Sequence, residues 1–110
     1  MSSVLKRNNV HVQGDGPPMI FVHGFGCDQN MWRFVAPHFA GRYRTILMDL
    51  VGNGNSDLAA YDPQKYDSLH GYAQDLCEVL RETAREPAIV VAHSVSTLSL
   101  IHISEPTRPY

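Results

Sequence analysis

Three short stretches carry residue types that could do chemistry. Residues 89–96 read Ile-Val-Val-Ala-His-Ser-Val-Ser, an apolar, largely β-branched run that stops at His93 and Ser94. Ala92 and Ser96 flank Ser94 at minus two and plus two. A serine in such a small-x-Ser-x-small setting can sit at the tip of a sharp strand-to-helix turn, its hydroxyl pushed outward as a nucleophile. The turn brings the backbone ahead of the serine against the backbone behind it, so the flanking residues must be small. The usual form is G-x-S-x-G, and here Ala92 and Ser96 take the glycine places. The second stretch is His23-Gly24-Phe25-Gly26, a loop rich in glycine. The third runs from Asp49 through Gly52, Asn53, Gly54, Asn55 and Ser56 to Asp57, and its glycines and asparagines tolerate positive φ. Each has a plain alternative: many serines lie between small residues after a strand, and many glycine loops are only turns.

Apolar patterning says which elements hold these stretches. Residues 9–13 alternate modestly through Val10 and Val12 and end at Gly14-Asp15-Gly16-Pro17-Pro18, an early strand and a turn. Residues 19–22 are wholly apolar, as in a strand covered on both faces. Asp28 can cap a helix whose apolar face is Met31, Trp32, Val35, Ala36 and Phe39, with Pro37 breaking or restarting it. Residues 45–48 form the next buried strand. The best helix spans 68–85, capped by Asp67 or Ser68 and stopped by Pro87. Leu69, Tyr72, Ala73, Leu76, Val79, Leu80 and Thr83 lie on one face, and Asp75, Glu78, Arg81, Glu82 and Arg85 on the other. Ile89–Ala92 follows as a third buried strand. Buried strands alternating with helices predict a parallel α/β sheet with right-handed crossovers. Chemistry in such sheets gathers beyond the carboxyl ends of the strands, and all three candidate stretches lie at such ends.

Composition bounds the possibilities. A chain of 110 residues holds at most one domain, and a formal net charge of −2 gives no electrostatic case for nucleic acid or an anionic membrane. No apolar run approaches the roughly 18 residues of a membrane span, and the start of the chain lacks the apolar core of a secretory signal. Cys27 and Cys77 have no metal spacing and read as free thiols in a reducing cytoplasm. No metal or cofactor is expected.

The three stretches, in this order, resemble the α/β-hydrolase family. Longer phrases resemble a narrower group, the stress-regulation hydrolase RsbQ and the plant karrikin and strigolactone receptors. These phrases are Asn9-Val10-His11-Val12, residues 23–32 (H-G-F-G-C-D-Q-N-M-W), 35–39 (V-A-P-H-F), 49–57 (D-L-V-G-N-G-N-S-D), 66–76 (Y-D-S-L-H-G-Y-A-Q-D-L) and 92–96 (A-H-S-V-S). The resemblance implies a parallel-sheet, three-layer core over residues 1–97, truncated after the nucleophile turn. It implies Ser94 as nucleophile, with the backbone amides of Phe25 and Val95 forming the oxyanion hole. It further implies a cytoplasmic serine hydrolase for a small apolar ester or lactone, with a possible signalling partner protein. Other polar residues read as structural: His23 as loop-shaping, Asp49 as bonded within its loop, His93 as structural or pocket-edge, and Tyr66 and Tyr72 as packing. Phe25 and Trp32 read first as core residues, although Phe25 could also meet a ligand.

The family's catalytic acid and histidine follow the nucleophile, and no such pair follows Ser94: Glu105 comes after His102, which is itself too close. Residues 98–108 are identical to the translation of a transposase-end sequencing adapter, so residues 98–110 are expected to be a non-native tail. The polypeptide as given is therefore expected to be inactive, with its last strand an apolar edge. Two rivals remain. One is a small-ligand sensor acting through a partner protein. The other is a dinucleotide-binding domain, in which Gly24 and Gly26 begin the phosphate turn and Asp49 contacts a ribose, although Gln29 occupies the third glycine place.

Overall fold

The computed structural model describes residues 3–84 and 86–93. Its sheet has four strands: β1 (His11–Gln13), β2 (Pro18–Val22), β3 (Arg44–Met48) and β4 (Ile89–Ala92), in the order β1-β3-β2-β4. β2, β3 and β4 are parallel, as their apolar character predicts, whereas β1 is antiparallel to β3, pairing His11 with Leu47. β2 lies between β3 and β4 and is buried along its whole length.

Alternation along β2 divides the core in two. Ile20 and Val22 face one way, with Ile46, Met48, Leu76 and Val79. Met19 and Phe21 face the other, with Trp32 and Ala36. An additional helix, α1 (Ser3–Arg7), precedes β1. The first face is covered by α3 (Leu69–Thr83), which Ser68 caps by accepting the His70 amide. The second is covered by a 3₁₀ turn (Gln29–Trp32) and a short helix, α2 (Ala36–Phe39). The result is three layers: helix, sheet, helix.

The helix expected after Asp28 forms as two pieces, as Pro37 implied: it has no amide to donate and sits where the second piece starts. Three expectations need correction. The expected apolar face of that helix is only half used: Trp32 and Ala36 are buried, but Val35 and Phe39 are exposed. β4 is not fully buried; Ile89 is exposed and Val90 to Ala92 are half-buried, at the edge of the described sheet. Asp75, placed on the polar face of α3, has no exposed surface.

Helix α1 packs on α3. Asn9 follows it at φ 46°, a left-handed conformation that asparagine adopts more readily than most residues. The amides of Asn9 and Val10 donate back to the carbonyls of Lys6 and Leu5 at 3.2 and 2.9 Å, a Schellman closure.

Candidate active site

The loops after β2 and β3 leave the same edge of the sheet because the two strands are parallel. His23, the first residue after β2, is wholly buried. The Leu50 amide donates to its Nε2 at 2.9 Å, so the proton lies on Nδ1, which donates to the Gly24 carbonyl at 2.7 Å. A ring with both nitrogens engaged in the backbone shapes a loop and is not a poised base. That agrees with the expectation for His23.

Asp49, the first residue after β3, is 1% exposed. Its Oδ1 accepts the Gln29 amide at 2.8 Å, and its Oδ2 accepts the Asn55 amide at 3.0 Å and Asn9 Nδ2 at 2.9 Å. One carboxylate thus holds the segment after α1, the turn after the first loop, and its own loop. Gly54 makes this possible: at φ 55° it lies so close that a Cβ would stand 2.6 Å from the Asp49 carboxyl carbon. Asn53 Oδ1 adds a link by accepting the Gly26 amide at 3.3 Å.

Phe25 rides on the loop braced in this way. Its residue is 46% exposed, so it is not a core residue. Among the described residues no acceptor takes its amide. The Phe25 ring meets Tyr72 edge-on, with centroids 4.9 Å apart. Trp32, by contrast, is core, packed 5.3 Å from Phe21. At the end of β4 the His93 amide donates to the Val22 carbonyl at 3.1 Å, which ties the residue before Ser94 to the end of β2. His93 itself is exposed. Ser94 and Val95 lie outside the described residues.

A second polar cluster has no counterpart in the sequence pattern. Asp75 accepts the Tyr66 hydroxyl at 2.6 Å and Lys65 Nζ at 2.7 Å, with Arg7 Nη2 at 3.3 Å. Arg7 Nη1 also donates to Glu78 at 2.6 Å. Burial, reinforced by the bond to Asp75, pushes Tyr66 ionisation well above its usual 10.0. Burial likewise raises Tyr72, with smaller contributions from Tyr61 and Asp75. The hydrogen bond from Arg7 holds the Glu78 carboxyl below its ordinary 4.5. Helical periodicity concealed this cluster, since nothing local indicates that an acid on α3 will meet an arginine on α1. Both cysteines are free thiols, half-buried. Among the described residues no group of three or more His, Cys, Asp or Glu could hold a metal, and no helix is long and apolar enough to cross a membrane.

A three-layer α/β unit with its loops gathered beyond the carboxyl ends of parallel strands is the architecture of a large class of enzymes and ligand-binding proteins. Within it, the chain belongs to the alpha/beta hydrolase family, which it matches over residues 19–103. It is 37% identical over 110 aligned residues to a probable esterase of Oryza sativa subsp. japonica, covering 96% of this chain and 41% of that protein. It is 38% identical over 100 residues to "Karrikin insensitive 2 receptor B" of Petunia hybrida, covering 90% and 37%. A solved hydrolase from Oleispira antarctica superposes with a TM-score of 0.83 at 42% identity, covering 89% of this chain and 36% of that one. The chain thus spans about two fifths of the length of the curated relatives it matches. Family membership sets the dinucleotide rival aside, and the geometry gives the reason: the Asp49 carboxylate is already occupied by three N–H donors and has almost no surface to offer a ribose.

Proposed function

We propose that this chain is the N-terminal part of a serine hydrolase for a small apolar ester or lactone, with Ser94 as nucleophile and the amides of Phe25 and Val95 as oxyanion donors. The observation that carries the reading is the Phe25 amide, without an acceptor among the described residues, on a loop braced by His23 and Asp49. The next strand of the parallel set leads directly to Ser94. As the serine oxygen attacks a carbonyl carbon, charge develops on the carbonyl oxygen, and amides already aimed there stabilise it without reorganising. Each such donor contributes about 2.7–4 kcal/mol to transition-state stabilisation. The histidine that takes the serine proton, and the acid that orients it, come from the remainder of the complete protein. The 110-residue polypeptide alone is accordingly inactive. A cytoplasmic setting fits the two free thiols.

A receptor-like role is the second reading, favoured by the relative named as a karrikin receptor. The same pocket and serine would then report a ligand to a partner protein, as in RsbQ-like stress signalling. The residues from Leu98 onward are, in this proposal, translated adapter. Sequencing the source locus from DNA prepared without that adapter gives different codons there; the same codons overturn the tail assignment.

The test of the hydrolase reading is to express the continuous reading frame of that locus and treat it with a fluorophosphonate. A covalent adduct on Ser94, lost in Ser94→Ala, is the expected result. A folded protein with no adduct there refutes the assignment. Turnover of 4-nitrophenyl acetate over many cycles separates enzyme from sensor.

A further inference from the structure

Of the asparagines in the chain, Asn53 alone precedes a glycine. An Asn-Gly pair can modify itself. The glycine nitrogen attacks the asparagine side-chain carbonyl carbon, a cyclic imide closes, and ammonia leaves with the proton. Water then opens the imide at either carbonyl. One opening leaves aspartate; the other leaves isoaspartate, in which the backbone runs through the former side chain. Glycine gives the attacking nitrogen room because it carries no side chain of its own.

The contacts around Asn53 favour this ring closure. Gly54 is exposed, and among the described residues nothing accepts its amide, so the proton that must leave is not held. The leaving group is not held either: Asn53 Nδ2 donates to no described residue, whereas the Nδ2 groups of Asn8 and Asn9 donate to the Asp49 carbonyl and carboxylate. Asn53 Oδ1 accepts the Gly26 amide at 3.3 Å. Charge that develops on this oxygen during attack therefore has a donor already beside it. Nor can another residue replace the glycine. At φ 55° a Cβ on Gly54 would stand 2.6 Å from the Asp49 carboxyl carbon and 2.8 Å from the Asp28 Cβ. The close approach that lets Asp49 gather the loops is the same feature that exposes Asn53 to attack.

We propose that Asn53 is a self-modification site, converted with Gly54 to aspartate and isoaspartate, and that the conversion slows the reaction at Ser94. Aspartate sets a negative charge against the Gly26 amide, one residue beyond the proposed oxyanion donor Phe25. Isoaspartate lengthens the backbone and moves Gly54 from its seat against Asp49. Asp28 and Asp49 already border Gly54, and among the described residues no lysine or arginine lines the polar hollow they share with Asn55. The new carboxylate thus meets like charges at close range. That the conversion slows the reaction rests on the proposed function; that Asn53 converts does not.

The experiment ages the complete protein, expressed from the continuous reading frame of the source locus, in water enriched in heavy oxygen. Peptides are then mapped by mass spectrometry. Exchange of the side-chain NH2 for heavy-labelled OH at Asn53, at least about tenfold faster than at Asn55, is expected. The rate should rise with pH, because the attacking nitrogen must lose its proton. Asn53→Gln, whose ring would be larger by a methylene, should stay unmodified over the same period. Exchange at Asn53 no faster than at Asn55, or at a rate indifferent to pH, overturns the site. Fluorophosphonate labelling of Ser94 reads the consequence. It should become several-fold slower as the native protein ages, and Asn53→Gln should keep whatever initial rate it has. Equal loss in both proteins, or no loss in native protein that has converted, overturns the link to the reaction. Conversion at Asn53 in a protein whose Ser94 never labels, even before ageing, refutes the hydrolase reading alone; labelling of Ser94 without conversion at Asn53 refutes the modification alone.

Discussion

Replacing Asp49 with asparagine removes one acceptor oxygen from a buried position that three N–H donors share. The geometry sets the size of the effect. Oδ1 serves one donor, the Gln29 amide, and Oδ2 serves two, the Asn55 amide and Asn9 Nδ2. Asparagine therefore does best by keeping its oxygen at the Oδ2 position and turning its NH2 toward Gln29. That leaves one buried amide facing another donor, at about 1–3 kcal/mol. The two surviving bonds also weaken, because bonds to a charged acceptor exceed neutral ones by up to about twofold. The sum is about 2–4 kcal/mol, a large share of the stability of any small domain. Asp49→Ala strands all three donors and should cost more than Asp49→Asn. The assay is equilibrium urea unfolding followed by the fluorescence of Trp32, the sole tryptophan. Hydrogen exchange at residues 24–29 then shows whether the loop carrying Phe25 has loosened. A change below about 0.5 kcal/mol for Asp49→Asn, or equal losses for the two variants, would refute the idea that one carboxylate ties these loops together.

Other outcomes follow from the same contacts. Gly54→Ala places a Cβ 2.6 Å from the Asp49 carboxyl carbon at positive φ, and should lower stability by about 2–4 kcal/mol in thermal unfolding, with less loss if Asp49 is already alanine. Tyr66→Phe removes the donor to Asp75 and should cost about 1.5–3 kcal/mol at neutral pH. Because folding raises the Tyr66 pKa, its contribution is complete below pH 10.0 and is lost as pH climbs from there toward the folded value. Stability measured from about pH 9 upward should fall more steeply in the native chain than in the phenylalanine variant. Glu78 runs the other way: its depressed pKa contributes stability above 4.5 that disappears as pH falls through the folded value. The gap between the native chain and Glu78→Gln, about 0.5–1 kcal/mol at neutral pH for this partly exposed pair, should close on acidification.

Much of the framework was legible because it depends on local rules. Strands β2 and β3 announced themselves as apolar runs too short for helices, and α3 by its three- and four-residue repeat with a serine cap. His23 and Asp49 were legible as loop-shaping residues from their place at strand ends, though not the partners they would choose. Asp75 was misread for a physical reason. The helical pattern records which residues are apolar, and a carboxylate can occupy a buried position only if cations and a hydroxyl arrive from elsewhere. Those partners, Arg7 on α1 and Lys65 and Tyr66 in a 3₁₀ turn, lie on elements with no clear periodicity of their own.

From the amino acids alone come the alternation of buried strands with helices and the order of the three loops, since both follow from spacing along one chain. Tertiary structure alone decided what braces those loops: that one carboxylate would gather donors from three segments, and that the Phe25 amide would find no acceptor among the described residues, on a loop locked underneath. It also decided that an acid on the supposed polar side of a helix would be wholly buried. Hydrogen bonds and ion pairs between residues dozens of positions apart form only once burial has brought their elements together, and the energy of stranding any one of them then selects the arrangement that satisfies them all.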